Sequence, residues 1–432
     1  MDVYCCKNCA SDTKLTFFMA SQTANKKKIF NDPVYGFINI PDALHFDLIE
    51  HPVFQRLRRI KQLGLTHLVY PGALHTRFHH SLGAMHLMQQ AINVLRSKGH
   101  SISHDESQAA SVAILLHDIG HGPYSHTLER VIAHGIGHEQ LTVAIIQLLK
   151  NDFGDIMDQA KAIFNGDHPR KFLGKLVSSQ LDMDRLDYLR RDSFFTGVAE
   201  GTIGTERLLA MLNATEDHLV IEAKGIYSVE KFLVARRLMY WQVYLHKTVL
   251  AAEHMLVNVM QRARELGTSG HKLATSESLS FFLKNNTSSI DVSPGSTALQ
   301  HFLQLDDFDI MWSLKQWQFH PDKVLSLLSR SIVNRRLFKV ELSDQPIEAS
   351  YIRELKDKIC KAFNINETEA EKLLIYESTS NKAYSPLQSN INILYRDGSL
   401  KDISEASDQL NISVLSKPVT KYFVSYPKDI LG

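Results

Sequence analysis

Twelve consecutive residues, Leu115-Leu116-His117-Asp118-Ile119-Gly120-His121-Gly122-Pro123-Tyr124-Ser125-His126, crowd together groups that bind metals and move protons. The apolar run from Ser111 to Leu116 leads into them and reads as the end of a buried helix. His117 and Asp118 follow side by side. Imidazole nitrogen with carboxylate oxygen suits divalent Mn, Fe, Co, Ni or Zn. Gly120, Gly122 and Pro123 then break the helix and let the backbone approach whatever sits there. The competing account makes Asp118 a cap and puts His121 and His126 at the surface. It weakens as further ligand types accumulate along the chain.

Four other stretches supply them. His75-Thr76-Arg77-Phe78-His79-His80-Ser81-Leu82-Gly83 opens a helix with three histidines and an arginine in one turn, so an imidazole can meet a metal and a guanidinium an anion. Gly137-His138-Glu139 opens another helix, where His138 either caps or faces the same cavity. Leu181 to Asp192 places Asp184, Tyr188 and Arg191 or Asp192 about one turn apart on a helical face. That stripe suits a pocket wall, although its charge pattern also fits a salt-bridged surface helix. Arg236, Tyr240, Tyr244 and Lys247 form a polar-aromatic stripe on a long helix.

The elements that must position these groups are mainly helical. The chain has 432 residues, 44% hydrophobic and 22% charged, as in globular proteins. The net charge of +1 gives no global field for a nucleic-acid partner. Four cysteines make no disulfide framework, and Cys6-x-x-Cys9 lacks a second pair. Residues 1–27 are therefore expected to be a dispensable leader, with Met19 an alternative start. No apolar run spans a bilayer and no signal peptide is evident, so a cytoplasmic location is expected. Two short strands flank Asn31-Asp32-Pro33, and periodic apolar residues predict one helix from Pro41 to Leu63. The basic run Arg56, Arg58, Arg59, Lys61 reads as its solvated face, and Gly64 stops it. A continuous helix is expected from Val229 through Leu266, and four short helices follow. After about Phe338, strands at Lys339–Leu342, Asn392–Arg396 and Tyr422–Tyr426 alternate with helices. The expected organisation is a helical catalytic domain over residues 28–335 and a smaller α+β lobe over 336–432.

These blocks together resemble the HD-domain metal-dependent phosphohydrolases, and within them the dNTP triphosphohydrolase branch of dGTPase-like enzymes. The resemblance runs from about Lys28 to Lys247. It is carried by Asn31-Asp32-Pro33, Phe54-Gln55-Arg56-Leu57-Arg58, Pro71-Gly72-Ala73, Arg77 to Gly83, His117 to His126, His138-Glu139, Asp182 to Tyr188 and Tyr244 to Lys247. It implies a mainly α HD-type core. It also implies one divalent metal (Mn, Fe, Zn, Ni, Co or Mg) held by His80, His117, Asp118 and Asp184. Among Asp182, Asp184 and Asp187, the motif register selects Asp184.

The same resemblance implies hydrolysis at the α-phosphorus, giving deoxynucleoside and tripolyphosphate. His126 takes the general-acid role with Glu129 orienting it, and His121 and His138 attend the reacting phosphate. Arg77, Arg185, Arg236 and Lys247 neutralise the triphosphate. Gln62, Leu63, Tyr188 and Asp192 read the sugar, and Tyr244 and Leu245 meet the base. An activating nucleotide between subunits of a homodimer or homotetramer is implied by Lys28, Ile29, Asn31, Glu50, Gln55, Arg58 and Arg207. Glu50 stands where the family has an aspartate, and a plain subunit contact is the alternative for this block. Two further functions compete: hydrolysis of another nucleotide phosphate ester, and a non-catalytic nucleotide- or nucleic-acid-binding module.

Overall fold

A computed structural model of the chain describes residues 28–132, 136–215, 218–285, 291–381, 384, 390–408 and 418–431. The leader with its Cys6-x-x-Cys9 spacing and the side chain of His126 lie outside the described residues. The fold is mainly α-helical.

The chain enters on an antiparallel hairpin, β1 (Ile29–Asp32) and β2 (Gly36–Asn39), with Ile29 opposite Asn39. Asp32 Oδ1 closes its turn by accepting from the amides of Val34 and Tyr35. The single helix expected from Pro41 to Leu63 is in fact three pieces: α1 (Ala43–Glu50), α2 (Pro52–Gln55) and a 3-10 turn, Arg56–Arg59. Pro52 causes the break. It has no N–H to continue the ladder and holds His51 extended, at φ −63° and ψ 134°. The His51 ring then caps the new helix through the Val53 amide.

Helices α3 (Arg77–Ser97) and α4 (His104–Leu116) pack on each other; α5 (His126–Ile132) and α6 (His138–Phe153) follow, and α7 (Ile156–Phe164), α8 (Lys171–Val177) and α9 (Met183–Thr196) pack against the pair. Gly83 lets α3 and α9 approach closely: a Cβ there would lie 1.9 Å from Asp187 Oδ1 and 2.3 Å from Arg191 Nη2. Then come α10 (Thr205–Met211), strands β3 (Leu212–Ala214) and β4 (Leu219–Glu222), and α11 (Ile226–Met239).

The continuous helix expected through Leu266 is interrupted. Tyr240–Tyr244 form a π-helical turn, His246 is extended, and α12 (Lys247–Thr268) restarts with the His246 ring capping the Thr248 amide. Such π turns recur at functional sites. Helices α13 (Glu277–Lys284), α14 (Thr297–Gln304), α15 (Asp307–Trp317) and α16 (Lys323–Val333) complete the helical body.

The remaining elements are β5 (Lys339–Ser343), α17 (Ala349–Phe363), α18 (Glu367–Glu371), β6 (Ile375–Asn381), β7 (Asn392–Leu394), β8 (Leu400–Asp402), α19 (Ile403–Ala406) and β9 (Val419–Tyr426). One sheet is ordered β5-β9-β6 and is antiparallel. The other, β3-β4-β7-β8, crosses residue 335: β7 pairs parallel with β4, Ile393 beside Ile221. The C-terminal segment is thus stitched to the helical body by backbone hydrogen bonds. Among the described residues no helix is long and apolar enough to cross a membrane.

Candidate active site

His80 lies one turn into α3, His117 just past the end of α4, and Asp184 in the first turn of α9. Their ligand atoms lie within 4.8 Å of one another. His80 Nε2 is 3.2 Å from His117 Nε2 and 3.1 Å from Asp184 Oδ1, which is 3.5 Å from His117 Nε2. Both rings are committed on their other nitrogen. His117 Nδ1 donates to the Ile114 carbonyl at 2.6 Å, and His80 Nδ1 to Asp187 Oδ2 at 2.8 Å. In neutral imidazoles the two Nε2 lone pairs therefore face each other beside a carboxylate. Three acceptors at this spacing repel unless a cation lies between them. The residues fit a divalent metal, and nitrogen–oxygen sets of this kind suit borderline-hard ions.

The electrostatics show the same demand for positive charge at the cluster, here met by protons on the rings. Burial pushes His80 down, yet its bonds to Asp184 and Asp187 outweigh that and raise its pKa to about 10. His117 is raised too, against burial, by Asp118 and Asp184. Asp184, despite burial that would raise it, is held far below the carboxylate range by the two rings. Asp118 borders this group without joining it fully. Its Oδ1 is 3.4 Å from His117 Nε2 and 3.3 Å from His121 Nε2, and its Oδ2 is 3.6 Å from His80 Nε2. That same Oδ2 is ion-paired with Arg77, whose Nε donates to Ser125 Oγ at 2.8 Å.

The three aspartates at the start of α9, Asp182, Asp184 and Asp187, have separate tasks. Asp182 caps the helix, accepting from the amides of Arg185 and Ser179. Burial, reinforced by Asp184 and opposed by Arg185, pushes it up to about 6. Asp187 is the fixed acceptor for His80. Arg191 grips it with Nε and Nη2 at 2.9 and 3.0 Å, and reaches Asp32 of the β1 turn with Nη1 at 2.7 Å. This buried Asp32–Arg191–Asp187–His80 chain selects the ring tautomer, as outer partners of metal ligands do.

A cavity of about 600 Å³ opens beside the cluster, within the range of small-molecule sites. Its walls bring together Gln62, Leu63, Arg77, His121, His138, Arg185, Tyr188, Asp192, Tyr244 and Leu245. Arg185 donates to the Ser179 carbonyl and, at 3.4 Å, to the Tyr188 hydroxyl. Asp192 accepts from the Tyr244 hydroxyl and bonds His75 Nε2, both at 2.7 Å. Gln62 Oε1 is buried without a hydrogen-bond partner among the described residues. The His121 and His138 rings stack at 4.2 Å, 14° apart. Glu129 Oε1 accepts from the His138 backbone at 2.8 Å and lies 3.1 Å from its ring. Two of the expected phosphate cations do not line this cavity. Arg236 is buried and donates to Gln180, and Lys247 is exposed on the first turn of α12.

Several residues escaped the sequence reading. Arg56 is not on a solvated face: it is fully buried and donates to the carbonyls of Leu305, Ile119 and His121, fixing the loop after Asp118. His75 orients Asp192 and stacks on Phe195 at 4.5 Å. Glu253 enters the cavity from α12. The resemblance blocks pointed to Arg56 by place only; no local pattern marks Glu253.

The residues expected to hold a second nucleotide lie at the outer surface. Lys28 lies over the Phe46 ring, and Ile29, Asn31 and Glu50 are exposed. Arg58 stacks on Phe78 and donates to Gln55 Oε1 at 2.7 Å. Arg207 sits on α10, donating to the Lys224 carbonyl.

Residues 77–192, from the start of α3 to Asp192, match the HD domain family, and residues 203–288 match the HD associated region. A solved phosphohydrolase from Bacteroides thetaiotaomicron is 52% identical and superposes with a TM-score of 0.90, over 93% of this chain and 100% of that one. The YwfO protein of Bacillus subtilis is 32% identical over 422 residues, 94% of each chain. The chain belongs to the HD-domain phosphohydrolase superfamily. The SAMHD1 homolog of Dictyostelium discoideum, named a deoxynucleoside triphosphate triphosphohydrolase, is 30% identical over 255 residues, 55% of this chain and 49% of that protein. This HD phosphohydrolase therefore spans about half the length of that relative.

Proposed function

We propose that this phosphohydrolase cleaves deoxynucleoside triphosphates at the α-phosphorus, releasing deoxynucleoside and tripolyphosphate. The observation that carries the reading is the cavity's polarity. Cations and the imidazole–carboxylate cluster line it together with hydrogen-bonded Tyr188, Tyr244 and Asp192, the last held from behind by buried His75.

His80, His117 and Asp184, with Asp118 alongside, would hold a divalent ion, which would supply Lewis-acid polarisation of a phosphate oxygen and acidification of water. The protein's own groups do the rest. Arg77 and Arg185 neutralise the polyphosphate, guanidinium being suited to bidentate contact. Lys247 and Arg236 belong to the same reading only if α11 and α12 shift when the substrate binds. Gln62, with its unpartnered carbonyl oxygen, and Asp192 take the 3′-hydroxyl. Tyr188 crowds the 2′ position, Leu63 closes the sugar wall, and Tyr244 and Leu245 pack on the base. His126 gives the departing 5′-oxygen its proton. His138, fixed by Glu129, and stacked His121 hold the phosphate side.

The active form is proposed to be a homodimer or homotetramer, with an activating nucleotide meeting Lys28, Ile29, Asn31, Glu50, Gln55, Arg58 and Arg207. Turnover of each dNTP by metal-loaded protein, singly and in pairs, tests both parts against an Asp184→Ala control. Consumption that the control lacks supports hydrolysis at this site, and consumption only in mixtures supports the second nucleotide. If no dNTP is consumed while another nucleotide ester is, the alternative substrate class replaces this one.

A further inference from the structure

Glu253 follows Leu250 by one turn of α12, and both continue the cavity wall begun by Tyr244 and Leu245. Its carboxyl is hydrogen-bonded to Thr127, the second residue of α5, and burial raises its pKa to about 7. Apart from exposed Glu139, the other carboxylates lining the cavity are compensated: Asp118 by Arg77, Asp184 by two imidazoles, Asp192 by His75 and Tyr244. Glu253 meets no cation or imidazole among the described residues. The charged or titratable groups facing the cavity from other elements are Arg77 on α3, His117, Asp118, His121 and Tyr124 after α4, His138 and Glu139 on α6, Asp184, Arg185, Tyr188 and Asp192 on α9, and Tyr240 and Tyr244 in the π-helical turn. None of them offsets the burial of Glu253.

A carboxylate here, half-buried in the cavity wall, would also be repelled by a bound polyanion. Both effects favour the acid form, which is a hydrogen-bond donor. We propose that Glu253 is a substrate-binding residue that works as a carboxylic acid, donating a hydrogen bond within the nucleotide cavity, so that a polyphosphate binds with uptake of one proton from solvent at this position. The proposal rests on the reading of the cavity as a triphosphate site. No bond to phosphorus forms or breaks in this step; one proton moves from buffer to the Glu253 carboxylate.

Inorganic tripolyphosphate is the inert probe. Its binding to metal-loaded protein is measured calorimetrically in two buffers of different ionisation enthalpy, about one pH unit above neutrality. Wild type should take up roughly one proton more than Glu253→Gln, whose amide imitates the neutral acid and retains binding. The KM of wild type for a dNTP should rise about tenfold per pH unit above the Glu253 transition relative to that of Glu253→Gln. Glu253→Asp, which keeps the titrating group, should retain the uptake. Equal uptake by wild type and Glu253→Gln, or binding lost in Glu253→Gln with an unchanged melting temperature, overturns the proposal alone. Failure of wild type to bind tripolyphosphate contradicts the triphosphate reading, and the proposal falls with it.

Discussion

Asp187 never touches the open side of the cluster, yet it decides which nitrogen of His80 faces it. Replacing it with Asn keeps the shape, removes the charge that Arg191 grips, and lets an amide N–H confront His80 Nδ1. Metal affinity should fall about 10- to 100-fold in Asp187→Asn, read by titration with a metal-sensitive dye. Asp182→Asn should bind metal like wild type, because Asp182 caps α9 and holds Arg185 and Ser179 without bonding either imidazole of the cluster. Equal losses in both would refute the division of labour among these aspartates. Glu253 makes a separate statement about stability. Its folded pKa of about 7 lies above the ordinary glutamate value of 4.5. Below pH 4.5 both states hold the proton and burial adds no pH-dependent cost. Between 4.5 and 7 the unfolded chain releases it first, so stability falls as pH rises, and the cost is complete above 7. Glu253→Gln should therefore be more stable than wild type above neutrality by about 1–3 kcal/mol, with the advantage shrinking toward pH 4.5. Chemical denaturation of metal-free protein across pH checks this, and a pH-independent difference would contradict it.

At the scale of elements, the site exists because α3 and α9 approach at Gly83. A methyl group there would push Asp187 and Arg191 out of register with His80. Gly83→Ala should destabilise the fold by about 1–3 kcal/mol and weaken metal binding, whereas Ala at exposed Gly99 should leave the metal site untouched. Unchanged metal affinity in Gly83→Ala would show that the contact is not needed. The same scale explains what could be read from sequence. The ligand types and most cavity residues were legible because each sits in a local pattern: a histidine-rich helix start, a helix ending in His117-Asp118, a one-turn stripe on α9. Two breaks were missed although their causes are local. Pro52 splits α1 from α2, and the turn at Tyr240–Tyr244 re-aims Tyr244 while apolar periodicity carries on through it. Arg56 looked like a surface residue because its run is basic. Its burial depends on carbonyls of Leu305 and His121, 249 and 65 residues away, which no local pattern encodes.

For the whole molecule, the segment after Phe338 was readable as alternating strands and helices but not as an extension of the body. Strand β4 was not anticipated, so neither was its pairing with β7. The superfamily assignment holds over nearly the full chain, while the finer claim concerns which bond is broken. Incubation of metal-loaded protein with a dNTP in ¹⁸O-labelled water, followed by product identification, tests that claim most directly. The account predicts equal amounts of deoxynucleoside and tripolyphosphate, with the label on tripolyphosphate, because attack at the α-phosphorus expels the 5′-oxygen. Orthophosphate or pyrophosphate as the released product, or label in the deoxynucleoside, would contradict it.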